Sequence, residues 1–267
     1  MTHHPRKRFG QNFLQDPAVV FEILSAINPK GDEHVVEIGP GTGALTTPLL
    51  SRCGFLDIVE IDRDLAARLK TRFASSQNLN VVCEDVLHVN FFNFRRSDEK
   101  IRLIGNLPYN ISTPLLFYLL DQVACIQDMH FMLQKEVVDR ICAKPGGKAF
   151  GRLSIMMQFH FQTEKLFEVA PRSFKPQPRV HSALVRLTPR CLPEYSNTDF
   201  GVLKTVVTQA FSQRRKTLRN ALSGHLSADE LAAIGVDPAA RAETIDIAAY
   251  IRLSEVYRRK IQVPDEV

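Results

Sequence analysis

A chain of 267 residues, 45% hydrophobic and 24% charged, can bury the core of one large domain or of one large and one small domain. No stretch approaches a membrane span and the amino terminus lacks an apolar signal core, so the expectation is a cytoplasmic protein with no membrane partner. A net charge of +5 favours a polyanionic partner, while five scattered cysteines without a CxxC pair and eight histidines without HExxH suggest neither zinc nor a disulfide framework.

Taken in chain order, "PRKRFGQ" first sets Arg6, Lys7 and Arg8 together without an acid. "QDPAVVFEILSAI" predicts a helix, with Asp16 as its cap and Pro17 in its first turn. Strands and helices then alternate. "HVVEIG", "FLDIVEID", "LNVVCED", "IRLIGN" and "DMHFMLQ" read as strands; "GALTTPLLSR", "RDLAARLKTRF", "STPLLFYLLD" and "KEVVDRICA" read as the helices between and after them. Short apolar runs alternating with amphipathic helices predict an α/β fold, a mostly parallel sheet covered on both faces. "KPGGKAFG" is a glycine-rich loop, "LSIMMQFHF" reopens apolar structure, and "RVHSALVRLTP" predicts a last strand. Beyond Pro189 only helical patterns remain, near residues 199–211, 216–222, 228–234 and 247–260. The predicted division is therefore 1–190 for the sheet domain and 191–267 for a small all-helical domain. Within the second, "FSQRRKTLRN" carries Arg214, Arg215, Lys216 and Arg219 without an acid. Either basic run alone reads as a solvated face; two of them on a basic chain favour an anion-binding surface.

The chemistry gathers at the strand ends. In "VVEIGPGTGALT" the glycines Gly39, Gly41 and Gly43 allow a sharp turn and a close approach of backbone to ligand, at a spacing unlike the dinucleotide fingerprint. Glu37 beside them disfavours a pyrophosphate. Glu60 ends the second strand, where a carboxylate can accept both ribose hydroxyls, and Asp85 ends the third, where it can accept from an adenine amine. Each acid alone reads equally well as a helix cap. In register they describe a pocket for an adenosine without phosphates.

"GNLPYN" ends the fourth strand beside that pocket. A strand-to-helix turn explains Pro108 but neither Asn106 nor Tyr109. An aromatic amine is a poor nucleophile because its lone pair is delocalised into the ring, and a site that alkylates it must accept its hydrogens. The Asn106 side-chain oxygen and the Leu107 carbonyl, aimed by the fixed dihedral of Pro108, can do so. Tyr109 offers a face for a base to stack on. The methyl donor would be a sulfonium.

With these residues in place the chain resembles the small-subunit ribosomal RNA adenine dimethyltransferase family, closely its bacterial members. The resemblance rests on "KRFGQNFL", "EIGPGTGALT", "VEID", "EDVL", "GNLPYNIST", "SFKPQPRVHSALVRL" and "FSQRRKTLRNAL", which span nearly the whole chain in the family's order. It implies a Rossmann-like class I methyltransferase domain using S-adenosyl-L-methionine. Two adjacent adenosines near the 3′ end of small-subunit (16S) rRNA would be dimethylated, in an immature 30S particle, with a part in subunit biogenesis. Carried over residue by residue, the cofactor site is Gln11, Asn12, Leu14, Gly39, Gly41, Glu60, Ile61, Asp85, Val86 and Asn106. Tyr109 and Phe174 would sandwich the flipped adenine, and Phe174 by itself would read as a core aromatic. The two basic runs would meet RNA. Two positions depart from the family's habit: His181 stands where an acid is common, and Thr42 where an apolar residue is.

Three rival readings remain at this stage: an adenine methyltransferase acting on DNA or another RNA, a nicotinamide-dependent oxidoreductase, and a non-catalytic assembly factor. The glycine spacing and "NLPY" weigh against the second. No metal is expected, since Asp85 and His88 alone are a weak pair, and the expected state is a monomer.

Overall fold

The computed structural model describes residues 6, 9–96, 98–190, 197–213 and 215–262. Two compact units emerge from the contacts, Met1–Val138 with Phe161–Pro189, and Asp139–His160 with Arg190–Val267.

The first unit is built on one seven-stranded sheet. Its strands are β2 (His34–Ile38), β3 (Phe55–Val59), β4 (Leu79–Val82), β5 (Ile101–Asn106), β6 (Ile126–Gln134), β7 (Phe161–Val169) and β9 (Ser182–Pro189); β1 (Phe13–Leu14) and β8 (Phe174–Lys175) form a separate two-stranded ribbon. The spatial order is β4-β3-β2-β5-β6-β9-β7. Pairing is parallel from β4 through β6, and β9 runs antiparallel to both of its neighbours. The chain moves outward from β2 to β4 and then returns to β5 on the other side of β2. That reversal opens a crevice at the carboxyl ends of β2 and β5. β2 is buried along its whole length, as a central parallel strand must be.

The helices connect these strands. α1 (Pro17–Ile27) starts where Asp16 accepts from the Ala18 N–H at 3.0 Å, with Pro17 supplying a helical φ and no surplus donor. α2 (Thr46–Leu50) is shorter than the sequence predicts, because Gly39, Gly41 and Gly43 all hold positive φ and the helix begins only at Thr46. α3 (Arg63–Arg72) is capped by Asp62. α4 (Tyr109–Leu119) starts three residues before the predicted "STPLLFYLLD", directly after Pro108 at φ −56°. Proline there is preorganised for the first turn, and it puts Tyr109 on a fixed helical backbone. α5 (Lys135–Ile141) follows β6.

"LSIMMQFHF" resolves into α6 (Arg152–His160), and β7 follows it without a break. Sequence reading left β7 unassigned for two reasons. It is an edge strand with charged, exposed positions, and its pairing with β9 slips between Lys165 and Phe167, which breaks the two-residue period.

In the second unit α6 joins α7 (Phe200–Ser212), α8 (Leu218–Ala221), α9 (Ala228–Ala233) and α10 (Ile247–Gln262). Phe159 stacks on Phe200 with ring centroids 5.9 Å apart, Phe211 on Tyr250 at 6.1 Å, and the buried Tyr250 hydroxyl donates to the Ala242 carbonyl at 2.7 Å. α9 carries a capping box between Ser227 and Glu230. Compactness thus divides the chain differently from 1–190 and 191–267. Residues 139–160 belong with the C-terminal helices, because Phe150, Ile155, Met156 and Met157 are wholly buried and the Phe159 ring lies on Phe200.

Candidate active site

The carboxyl-end crevice holds a cavity of about 330 Å³, within the range of small-molecule sites. Gln11, Asn12, Leu14, Gly39, Gly41, Glu60, Ile61, Asp85, Val86 and Asn106 all line it, so the ten predicted cofactor residues surround a single space. Backbone bonds continue past the strands and align their tips: the Gly39 N–H donates to the Val59 carbonyl at 2.9 Å, and the Glu60 N–H to the Val82 carbonyl at 3.0 Å. Gly105, just before Asn106, lets β5 approach β2. A Cβ there would stand 2.7 Å from the Ile38 carbonyl oxygen.

Glu60 is buried, and among the described residues its donors are backbone N–H groups. Its two oxygens accept from the Gly41 N–H at 3.1 Å and the Asp62 N–H at 2.9 Å. The Ile61 N–H is a further backbone donor to this carboxylate, which still has acceptor capacity for a ligand hydroxyl. Burial pushes the Glu60 carboxyl above the ordinary range, against the pull of those hydrogen bonds. Glu37 lies deeper. Burial raises its carboxyl to about 8, and its partner is the Thr46 hydroxyl, which donates at 2.6 Å. Near neutral pH Glu37 is therefore mostly uncharged. Asp85 caps the turn after β4, accepting from the Leu87 N–H at 3.0 Å through Oδ1. Its cap and cavity readings hold together: one oxygen serves the turn while the residue lines the pocket. Ile61, 42% exposed, offers an apolar edge between the two acids.

The N-terminal segment crosses this space as a strap. On one side Phe13 and Leu14 pair with Lys175 and Phe174, and Ser173 donates to Asp16 at 3.0 Å. On the other, Gln11 donates to Asp62 at 3.3 Å, while Arg6 bonds Asp62 at 3.1 Å and also pairs with Asp64. The ring of Phe13 lies over Gly41; a Cβ on that left-handed glycine would stand 2.8 Å from it. The strap also orients Asn106. The Asn106 amide nitrogen donates to the Asn12 carbonyl at 2.9 Å. The amide oxygen is thereby turned away from the strap as an acceptor.

The rest of the corner is arranged around it. Leu107 is buried, its N–H donating to the Met132 carbonyl at 3.2 Å. Tyr109 is half-buried, its phenol meets the Ser182 hydroxyl at 2.8 Å, and burial raises its pKa. Pro108 lines the cavity, whereas Leu107 and Tyr109 are not among its lining residues.

Two predicted residues are placed otherwise than expected. Phe174 is 4% exposed and packs in the core with Leu14, Ile23 and Leu24, because its pairing to Leu14 turns the ring inward. Arg6 is not a free cation for RNA; its guanidinium is engaged by Asp62 and Asp64. Of the other basic residues, Arg215, Lys216 and Arg219 are exposed on the helical unit, while Lys7, Arg8 and Arg214 lie outside the described residues. The resemblance implies that the segment of Gln11 and Asn12 folds over the cofactor, but sequence reasoning did not name Phe9 and Phe13, which also line the cavity; the aromatics flanking "GQN" were the signal for them. It also missed Ser182, which has no local signal at all. Among the described residues no group of three metal-ligating side chains occurs, and no helix is long and apolar enough to cross a membrane.

A donor of the adenosyl sulfonium type fits this lining. The free lone pairs of Glu60 suit a ribose, Asp85 an exocyclic amine and Ile61 a purine face.

Comparison with known proteins points the same way. The family described as ribosomal RNA adenine dimethylase matches residues 2–259. The chain is 52% identical over 257 residues to ribosomal RNA small subunit methyltransferase A of Nitrosococcus oceani, covering 96% of this chain and 97% of that protein. It is 50% identical over 252 residues to the protein of the same name from Pseudomonas aeruginosa, covering 94% of each. Among solved structures, a dimethyladenosine transferase from Plasmodium falciparum superposes with a TM-score of 0.81 at 25% identity, covering 93% of this chain and 98% of that one. The 23S rRNA methyltransferase ErmE superposes with a TM-score of 0.73 at 26% identity, covering 92% and 100%.

Proposed function

The chain belongs to the ribosomal RNA adenine dimethylase family, and from that premise we propose that it uses S-adenosyl-L-methionine to dimethylate the exocyclic amines of two adjacent adenosines near the 3′ end of small-subunit rRNA. It acts as a monomer in the cytoplasm on an immature 30S particle. The small-subunit target is supported by relatives of that name at 50–52% identity, against 26% for ErmE, whose name gives 23S rRNA.

The observation that carries the reaction is the fixed amide of Asn106. Its nitrogen is held by the Asn12 carbonyl, so its oxygen is the acceptor presented at the cavity edge. The bound cofactor supplies an electrophilic methyl on a sulfonium. Glu60 and Asp85 would hold the ribose and the adenine of that cofactor, beneath the strap. Asn106 Oδ1 and the Leu107 carbonyl accept the two amine hydrogens of the target and draw its nitrogen toward tetrahedral geometry. No charged base is needed, because an alkylated amine gives up its surplus proton readily. Tyr109 takes the flipped base on its face, and its phenol, kept neutral, does not repel a phosphate. Arg215, Lys216 and Arg219 hold RNA phosphates on the helical unit.

The test is methylation by radiolabelled S-adenosylmethionine of small subunits that lack dimethyladenosine, with large subunits and duplex DNA alongside. The expected product is N6,N6-dimethyladenosine in the small subunit alone, and Asn106→Ala lowers its rate by about a hundredfold or more, as for loss of one aimed hydrogen-bonding group. Methylation of DNA or large subunits only would overturn the assignment.

A further inference from the structure

We propose that Ser182 is a positioning residue for methyl transfer, acting through Tyr109; the inference rests on the function proposed above. The sheet's topology brings Ser182 to the site. β9 is the strand that runs against the direction of β6, so its first residue arrives at the carboxyl-end rim where parallel strands place their last. Ser182 is opposite Gln134 of β6 on one side and Val169 of β7 on the other, and it is wholly buried. A hydroxyl held on both flanks of its backbone is a rigid anchor. It meets the Tyr109 phenol at 2.8 Å.

Tyr109 is thus fixed at two ends. Its Cα belongs to the first turn of α4, locked by Pro108 and by the Ile111 N–H donating to the Pro108 carbonyl at 3.2 Å. Its hydroxyl is tied to a strand 73 residues away in sequence. Without the second anchor the ring can swing about χ1, and a stacking platform that swings no longer holds the amine against Asn106. The Phe174 ring is buried beside Leu14 and away from the surface. In this structure the platform for the base therefore rests on Tyr109 and, through it, on Ser182.

The experiment is a double-mutant cycle with Ser182→Ala and Tyr109→Phe. It is read as single-turnover methyl transfer to unmethylated small subunits and as S-adenosylhomocysteine affinity. Each single variant is expected to lower transfer by about five- to tenfold, the scale of one hydrogen bond, with the double variant no slower than either. Cofactor affinity is expected to stay unchanged in all three. Ser182→Ala at the wild-type rate, or an equal further loss in the Tyr109→Phe background, would overturn the proposal, the latter because a merely structural serine acts whether or not the phenol is there. Should Ser182→Ala not fold, Tyr109→Phe at the wild-type rate overturns it as well. A wild-type protein that methylates no small subunit would instead refute the proposed function.

Discussion

The two ends of the central sheet both bury acids and differ in how they partner them. At the amino ends the buried charges are paired within the chain. Arg102 of β5 forks onto both oxygens of Asp128 at 2.9 and 2.8 Å, reaches Glu33 at 2.7 Å and donates to the Ile27 carbonyl at 2.8 Å. His34 meets Asp57 at 2.6 Å, and Asn80 completes that carboxylate at 2.7 Å. Burial pushes the Asp128 carboxyl up, but His130 and the Arg102 fork hold it below the usual range. At the carboxyl ends Asp62 is paired with Arg6, but among the described residues Glu37 and Glu60 are buried with hydroxyl and backbone donors and no cation, and both are raised. A buried charge that serves only the fold is neutralised by a partner. Acids left with spare lone pairs beside a cavity have capacity for a ligand, and that contrast marks one end as scaffold and the other as site.

Breaking the scaffold end is expected to have the largest effect. Arg102→Met leaves Asp128 and Glu33 without their counter-charge and should cost about 3–5 kcal/mol in urea unfolding, with activity per folded molecule unchanged. A loss of activity without a loss of stability would erase the distinction between the two ends.

The site end should respond to pH in the other sense. The folded chain keeps the Glu37 proton up to about 8, whereas the unfolded chain releases it near 4.5. Between those values the folded state binds more protons, so stability of the ligand-free protein falls as pH rises, by an amount on the order of a few kcal/mol. Glu37→Gln should flatten that slope, as read from denaturation midpoints between pH 5 and about 8. An unchanged slope would move the titration elsewhere.

Removing Glu60 sharpens the contrast further. Glu60→Ala should weaken S-adenosylmethionine binding by about ten- to a hundredfold in calorimetry, the size of hydrogen bonds to a charged group. The smallest effect lies outside both ends. Arg215→Ala with Lys216→Ala should reduce the slope of log RNA affinity against log salt by about 1.5. An intact slope would return those side chains to ordinary solvation.

What the sequence makes legible is what local chemistry writes. The strand tips at Gly39, Glu60, Asp85 and Asn106 carry their meaning in short motifs, and the structure brings them around one cavity. Asp16 and Pro17 announce a helix start on their own. What it hides depends on long-range register. β7 loses its period to a bulge and an exposed edge. Arg6 reads as a free cation until Asp62 and Asp64 arrive from another strand end. Phe174 sits in a segment for which the resemblance implies stacking, but its ring faces inward because β8 pairs with β1. Ser182 has nothing beside it in sequence to set it apart from any other buried strand serine.

The central claim is that Glu60, Asp85 and Asn106 of this crevice hold one adenosyl sulfonium beside an amide that accepts the target amine. A crystal structure with bound S-adenosylhomocysteine tests it most directly. The account predicts the ribose hydroxyls on the Glu60 carboxylate, the adenine beside Asp85 and the sulfur facing Asn106; a ligand seated elsewhere, or a ribose away from Glu60, would contradict it.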